Sequence, residues 1–443
     1  MVQQGQLSSR SDGTKTRLHF GVPVKDHLVV GIRYQSKPLR RYHRNNNPVG
    51  AEQDDVKSHF ISFYYRVHIV VPVKEPLAIG IRNMSRVLAG PYCAMILGDL
   101  GAEIIKLEIP GKGDDTRSFG PPFCGTETAY FFSVNRNKKS IAVDMKQKEG
   151  ATIVKELAKK SDILIENYIP GKLSKMGLGY SQMKEIAPKL IYCSISGYGQ
   201  TGPYAQRAGY DVIASGIGGL MHITGPQDGA PCKVGVAMTD LSTGLYAYGS
   251  ILAAILERQK SGKGQHIDCN LLATQVASLV NISSNYLNAG MEAKRYGTAH
   301  ESIVPYQSFK TIDGYIIIGG VNNNQFQSVC KVCIFIYLIT LPSTDEWLNI
   351  FKDSGIPYGP INTIQQVFSD PQVLHNNLIQ EMDHPTAGRI RLPAPVVKFS
   401  ESKLVDPPQP PPTLGQHTHE VLTQLLNMDN DEIKHLIKKG VIQ

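Results

Sequence analysis

Three features of the 443-residue sequence predict an α/β fold built on a mostly parallel sheet. From about residue 76 onward, short apolar runs alternate with ten-residue helical patterns, the signature of consecutive βαβ units. Hydrophobic residues make up 42% of the chain and charged residues 19%, which fits an ordinary globular protein. The length is about two to three times that of a typical domain, so two packed units with appendages are expected.

The elements follow in order. Residues 88–99 read as a helix that opens near Gly90-Pro91 and stops at Gly101, and residues 102–108 as a buried strand. Ahead of them, Arg82-Asn83 interrupts what should be the first core strand and leaves its entry open. Residues 140–144, 162–166 and 190–195 are three further strands, and residues 149–160 an amphipathic helix. Ligands on such sheets sit at the carboxyl ends of strands, which singles out the loops at 167–171 and 197–202. Residues 241–258 form the clearest helix, apolar on most faces and ended by Gly262-Lys263-Gly264. Two strand-like segments, 306–310 and 315–319, are joined by the turn signal Asp313-Gly314 and open a second, smaller unit. A linker at 355–360, a proline-rich loop at 407–412 and a final helix from His419 complete the chain.

The net charge of +8 suggests nucleic acid until it is mapped. Residues 1–74 hold twelve Lys/Arg and five Asp/Glu, so nearly all of the excess belongs to this extension. The main body is close to neutral, and phosphate-backbone binding loses its support. Residues 1–50 carry nine basic and two acidic residues with Ser and Thr interspersed, a composition like that of a mitochondrial transit peptide, the alternative being a cytoplasmic protein. The chain also holds an internal near-duplication, residues 22–36 matching residues 71–85 at nine of fifteen positions. The longest apolar run, near residues 333–341, is too short to cross a bilayer, which needs ~20 residues. The seven cysteines are scattered and odd in number, against a disulfide framework, and Cys330 and Cys333 form a single CxxC that reads as core rather than a zinc site.

Three motifs invite chemistry. The run Gly111-Lys112-Gly113-Asp114-Asp115-Thr116-Arg117 follows a strand but lacks both the phosphate-loop and the dinucleotide glycine spacing, so a polar loop is the better reading. Asn135-Arg136-Asn137-Lys138-Lys139 is a compact basic cluster, either a solvated surface or a partner for phosphates. Asp240 stands directly before the 241–258 helix, where Asp favours the N-cap. The same position would hold an ionised carboxylate at an element end facing a cleft, so cap and nucleophile are compatible roles.

Several blocks together resemble the class III CoA-transferase family (CaiB/BaiF type). They are Arg86-Val87-Leu88-Ala89-Gly90-Pro91, residues 97–103, 111–123, 133–145, 166–180, 196–211 and 240–244, in the family's order. The resemblance spans about residues 76–333 and 346–443. Residues 293–307 and 358–362 bring it nearest to the branch that moves CoA from succinyl-CoA to glutarate.

The resemblance implies a Rossmann-like large domain made by both ends of the chain, with a smaller domain between, in two interlocked subunits of a homodimer. The boundaries are then 1–75 for the basic extension, 76–290 for the first part of the large domain, 291–354 for the small domain and 355–443 for the linker and return. Residues 333–344 replace a longer family segment, so the small domain is expected to be shortened by about thirty residues. Asp240 falls on the family's nucleophilic aspartate. Lys138, Lys139, Gly197 and Tyr198 fall where relatives contact CoA, and Asn167, Tyr168 and Lys175 lie in a further CoA-contacting block. Ile109 stands where several relatives carry a basic residue. CoA is then a substrate, as acyl-CoA, beside small carboxylic acids. No permanent cofactor or metal, nucleic acid or membrane is implied.

A carboxylate nucleophile passes CoA between acids without hydrolysis by dividing one exchange into easier covalent steps. The rival within the family is racemisation of 2-methylacyl-CoA, which needs acid/base groups flanking the alpha carbon. Relatives of that branch carry a histidine in the loop that here reads Ala208-Gly209-Tyr210-Asp211, and the Tyr210 phenol is poorly matched to proton abstraction near neutral pH. A non-catalytic or truncated dimer subunit is the alternative from another class.

Overall fold

The computed structural model describes residues 79–336 and 342–443. The basic extension, the near-duplicated stretch at 22–36 and residues 337–341 of the apolar run lie outside the described residues.

Thirteen strands occur among the described residues. In chain order they are β1 (Gly80–Asn83), β2 (Glu103–Glu108), the two-residue β3 (Phe123–Cys124) and β4 (Glu127–Thr128), β5 (Lys138–Ala142), β6 (Ile163–Glu166), β7 (Ile191–Ser196) and β8 (His266–Asn270). The antiparallel strands β9 (Tyr306–Lys310), β10 (Tyr315–Gly319) and β11 (Tyr358–Pro360) follow, then the hairpin β12 (Ile379–His384) and β13 (Gly388–Pro393). The main sheet runs β5-β2-β1-β6-β7-β8 with every pair parallel. This is the doubly wound order, and its switch point lies between β1 and β6, where the chain has left one half of the sheet and begun the other.

Alternation along the strands sets the two layers. Ile163 and Ile165 of β6, with Ile191, Cys193 and Ile195 of β7, pack against Cys93, Ala94 and Leu97 of the Ala89–Asp99 helix and Ile251 and Ile255 of the Met238–Ser261 helix. Leu164 and Tyr192 face the other way, toward the Lys148–Lys159 helix, and Val421, Leu422 and Ile433 join them from the C-terminal helices. The hairpin β12–β13 seats Met382, Ile390 and Leu392 on Phe131 and Phe132. The β9–β11 sheet has its own core of Ile316, Ile318, Val329, Phe351 and Ile356. Among the described residues, no helix is long and apolar enough to cross a membrane.

Four expectations are corrected. Arg82-Asn83 does not break the first strand: both residues lie in β1, at the centre of the sheet, and are fully buried. Backbone pairing on both sides overrides the polarity of these side chains, leaving the Arg82 Nε and Asn83 Nδ2 atoms without partners. β5 starts two residues early because Lys138 and Lys139 pair with Ile104 and Ile105 of β2. The predicted 241–258 helix extends over Met238–Ser261, which moves Asp240 from the cap into the first turn, while Gly262 closes it in the left-handed conformation as expected. The single final helix is two, Thr418–Leu426 and Asn430–Lys438, divided by Asn427 in the left-handed region and a capping box on Asp429.

Candidate active site

A cleft opens at the carboxyl ends of β1 and β6, the switch point of the sheet. Its walls are the loop after β1 (Arg86, Val87, Leu88), the loop after β6 (Asn167, Tyr168, Ile169, Pro170), the loop after β7 (Ser196, Gly197 and Arg207–Tyr210), and Asp240. Asn167 ties the first two walls together. Its carbonyl oxygen accepts the Arg86 N–H at 2.9 Å and its amide donates to the Arg86 carbonyl at 2.7 Å.

The lip at Val87 is held under strain. Val87 has φ +68°, a backbone region that a β-branched residue rarely enters. Its N–H donates to both oxygens of Asp114, at 3.1 and 3.2 Å, and Asp114 also receives Lys106 Nζ at 2.7 Å. Burial by itself pushes the Asp114 carboxyl up, but the Lys106 charge and the backbone donors bring it down to about 2. The run 111–117 is therefore a brace for the cleft rather than a phosphate loop.

Asp240 sits half-buried in the cleft wall, in the first turn of the Met238–Ser261 helix. It does not cap that helix. Asp211 does so from another element, its Oδ2 accepting the N–H groups of Thr239 at 2.8 Å and Asp240 at 3.1 Å. Among the described residues no hydrogen bond or ion pair ends on the Asp240 carboxylate. Burial and then the Asp211 charge push this carboxyl up to about 7, so the expectation of a carboxylate ionised by the helix terminus is also corrected. The capping carboxylate has taken the free N–H groups and added a like charge. Tyr130 lies close enough for the charges of Asp240 and Asp211 to raise its phenol, after burial as the larger cause.

The structure brings Asp240, Asn167, Tyr168 and Gly197 together around one cleft. Lys138 is not there. Its Nζ is buried, which holds it well below the usual lysine range, and donates to the carbonyls of Pro91 and Val134 and to Asn135 Oδ1, at 2.7–2.9 Å, which is how a lysine is tolerated inside β5. Lys139 spends its charge on Glu420 at 2.9 Å and Glu103 at 3.4 Å. Arg136 of the same cluster is bound to Asp99. Lys175 is exposed on the short Ser174–Met176 turn, and Tyr198 packs edge-on to Tyr204 at 5.7 Å, neither of them in the cleft wall. The cations that do line the cleft are Arg86, Lys172 and Arg207, which sequence reasoning missed. Arg86 and Lys172 both lie over the Tyr168 ring, at 5.5 and 5.3 Å, and Arg207 over Tyr204 at 3.8 Å. All three lie inside the recognisable blocks, but no local pattern marks them as neighbours in space.

The family model of CoA-transferase family III matches residues 79–334 and 338–418. This chain belongs to that family. It is 55% identical over 384 residues to the human succinyl-CoA:glutarate CoA-transferase, covering 81% of this chain and 87% of the human one. Against the succinate–glutarate CoA-transferase of Agrobacterium fabrum the identity is 39%, covering 77% and 93% of the two chains. The crystal structure of a CaiB/BaiF family protein from Brucella suis superposes with a TM-score of 0.72 at 38% identity, covering 79% of this chain and 99% of that one. The chain is thus a CoA-transferase of the third family, and the switch-point cleft is the place to look for its chemistry.

Proposed function

We propose that the cleft transfers CoA from succinyl-CoA to glutarate through Asp240. The observation that carries the reading is the Asp240 carboxylate, half-buried, free of donors and poised near neutrality at the switch point. An Asp240 oxygen attacks the succinyl carbonyl and the C–S bond breaks, giving a mixed anhydride and CoA thiolate. The thiolate attacks the Asp240 carboxyl carbon, the anhydride C–O bond breaks, and succinate leaves with aspartyl-CoA behind it. A glutarate carboxylate then attacks that thioester, expelling thiolate and forming a second anhydride. Attack of the thiolate at the glutaryl carbonyl releases glutaryl-CoA and restores Asp240.

Asn167, Tyr168 and Gly197 form the wall along which CoA lies, and Lys172 and Arg207 supply charge for its phosphates, the Arg86 charge being paired with Asp115 at 2.7 Å. Lys175 and Tyr198 belong to the flanks of this path. The names of the human and Agrobacterium relatives support the acid pair. A homodimer is supported by large exposed apolar side chains on neighbouring helices, among them Leu245, Tyr246, Leu256, Val280 and Leu287. A mitochondrial destination is supported by the basic, Ser/Thr-dotted composition of residues 1–50.

The test is to incubate purified protein with succinyl-CoA and a panel of carboxylic acids and identify new CoA esters by mass. Glutaryl-CoA is the expected main product. Formation of other esters to the exclusion of glutaryl-CoA overturns the acid pair, and the absence of any new ester overturns the reading.

A further inference from the structure

A second cavity lies on the opposite face of the sheet from the Met238–Ser261 helix, beneath the loop that walls the cleft. Ile169 and Pro170 line both spaces, so a single stretch of backbone separates them. Register places Glu166 of β6, Ser194 of β7 and Asp268 of β8 side by side in one row, with Tyr192 and His266 one step below. Glu166 is buried at 5% exposure, and none of the ion pairs among the described residues includes it. It turns back on its own chain, where its Oε2 accepts the Tyr168 N–H at 2.7 Å. Burial pushes this carboxyl up to about 7, the Ser194 hydroxyl and Tyr168 N–H opposing the rise and the Asp268 charge adding to it.

Ser194 Oγ lies 2.9 Å from His266 Nε2, a spacing that invites a nucleophile–base reading. The surroundings argue otherwise. Ser194 is buried at 2% exposure inside a central strand. Asp268 uses its Oδ2 on the Gln200 N–H at 2.9 Å, and no hydrogen bond joins it to His266 among the described residues. The His266 ring is stacked on Tyr180 at 4.6 Å, which fixes it in place. The group is a scaffold that ends in one directed contact, the bond from Tyr168 to Glu166.

We propose that Glu166, backed by Ser194 and His266, is a positioning residue for acyl-CoA. By fixing the Tyr168 backbone it holds the Asn167–Pro170 wall at the width CoA requires. This rests on the reading that the Asn167–Tyr168 wall contacts CoA. A strained or directed backbone needs an acceptor that stays in place, and a buried carboxyl end-on to a loop provides one where a solvated side chain would not.

The experiment compares steady-state constants for Glu166→Ala, Glu166→Gln and Tyr168→Ala. Glu166→Ala is expected to raise KM for succinyl-CoA ~10-fold, as for one lost buried hydrogen bond, with kcat and KM for the acceptor acid within ~2-fold of wild type. Glu166→Gln keeps an oxygen acceptor and should return KM to within ~2-fold of wild type. If the alanine variant does not fold, Glu166→Asp takes its place, since it retracts the carboxyl by one methylene and loses the same contact. Tyr168→Ala raising KM for succinyl-CoA while Glu166→Ala and Glu166→Asp leave it unchanged overturns the positioning role and spares the CoA wall. Unchanged KM in all variants overturns the CoA wall itself, and the positioning role with it. An equal rise in KM for both substrates, or a fall in kcat alone, reduces Glu166 to general support of the fold and also overturns the proposal.

Discussion

Asp211 holds the backbone N–H groups of Thr239 and Asp240 with one carboxylate oxygen, so the proposed nucleophile is positioned by a second acid from a different element. Burial and then the nearby Asp211 charge push the Asp240 carboxyl up to about 7. The arrangement separates two roles that the sequence merges at Asp240. Capping falls to Asp211, and Asp240 keeps its oxygens free for chemistry.

Asp240→Asn should fold and lose CoA transfer by several orders of magnitude, because an amide is no nucleophile here. It should also be more stable than wild type. The folded-state carboxyl, at about 7, lies above its ordinary value, so ionisation is opposed in the folded protein and the penalty grows as pH rises from about 4 through 7. Denaturant titrations should show a gain of ~1–3 kcal/mol at pH 8 that vanishes near pH 4. Wild-type transfer rates in the variant, with deamidation excluded by mass, would sink the aspartyl-CoA chemistry.

The pH profile of kcat/KM carries the same signature. The attacking form is the carboxylate, so activity should rise with pH through about 7 and level off above it. Asp211→Asn keeps an acceptor for the helix N–H groups but removes a negative charge, which should move that limb to lower pH. Glu166 also titrates near 7, and Glu166→Gln separates the two: the limb persists if it belongs to Asp240. A limb unmoved by Asp211→Asn and abolished by Glu166→Gln would assign it to the wrong acid.

The loops after β7 meet at Gly197 and Gly209 with their backbones in contact. A Cβ on Gly209 would lie 2.5 Å from the Gly197 Cα, and one on Gly197 would lie 2.7 Å from the Gly209 Cα. Gly209→Ala should therefore displace Tyr210 and Asp211, destabilise the protein by ~1–3 kcal/mol and lower kcat/KM more than ~10-fold. Thermal melts together with kinetics check both effects, and wild-type kinetics in a folded variant would show that the contact does not position Asp211.

Arg82 occupies the central strand at 1% exposure, its Nε unpartnered and its one ion pair among the described residues, to Glu103, stretched to 3.9 Å. Burial pushes its guanidinium down to about 10, the Glu103 and Asp162 charges acting in opposition. Arg82→Leu removes a poorly compensated buried charge and should raise stability by ~1–3 kcal/mol without changing transfer. Equal or lower stability by urea denaturation would mean that the guanidinium is better satisfied than these contacts indicate.

Residues 1–76 fused to a fluorescent reporter should reach mitochondria, given their basic composition. A uniformly cytosolic signal would reject that destination.

The sequence by itself determined the elements whose signals are local. Apolar runs located β2, β6 and β7 to within a residue or two, Gly262 marked the end of the long helix, and Asp313-Gly314 marked the β9–β10 hairpin. The in-order blocks also determined the family, and the resemblance they carry is what singled out Asp240 as the proposed nucleophile. Tertiary structure alone decided what depends on partners far along the chain. Lys138 looks like a phosphate ligand in sequence because a lysine in a basic run is normally solvated, yet three oxygen acceptors from Pro91, Val134 and Asn135 enclose it. Arg82 looks like a strand breaker, yet pairing with β2 and β6 gives its backbone no alternative. Arg86, Lys172 and Arg207 come from three separate loops and line one cleft, Arg86 paired there with Asp115, only when β1, β6 and β7 align in parallel. Asp211 lies 29 residues before Asp240, beyond any helical or strand period, so only the close packing of Gly197 on Gly209 and the turn after it bring its carboxylate to the helix end. Periodicity reports which face of an element is buried. Which charges meet across a cleft is set by the crossing of loops, and no local pattern encodes it.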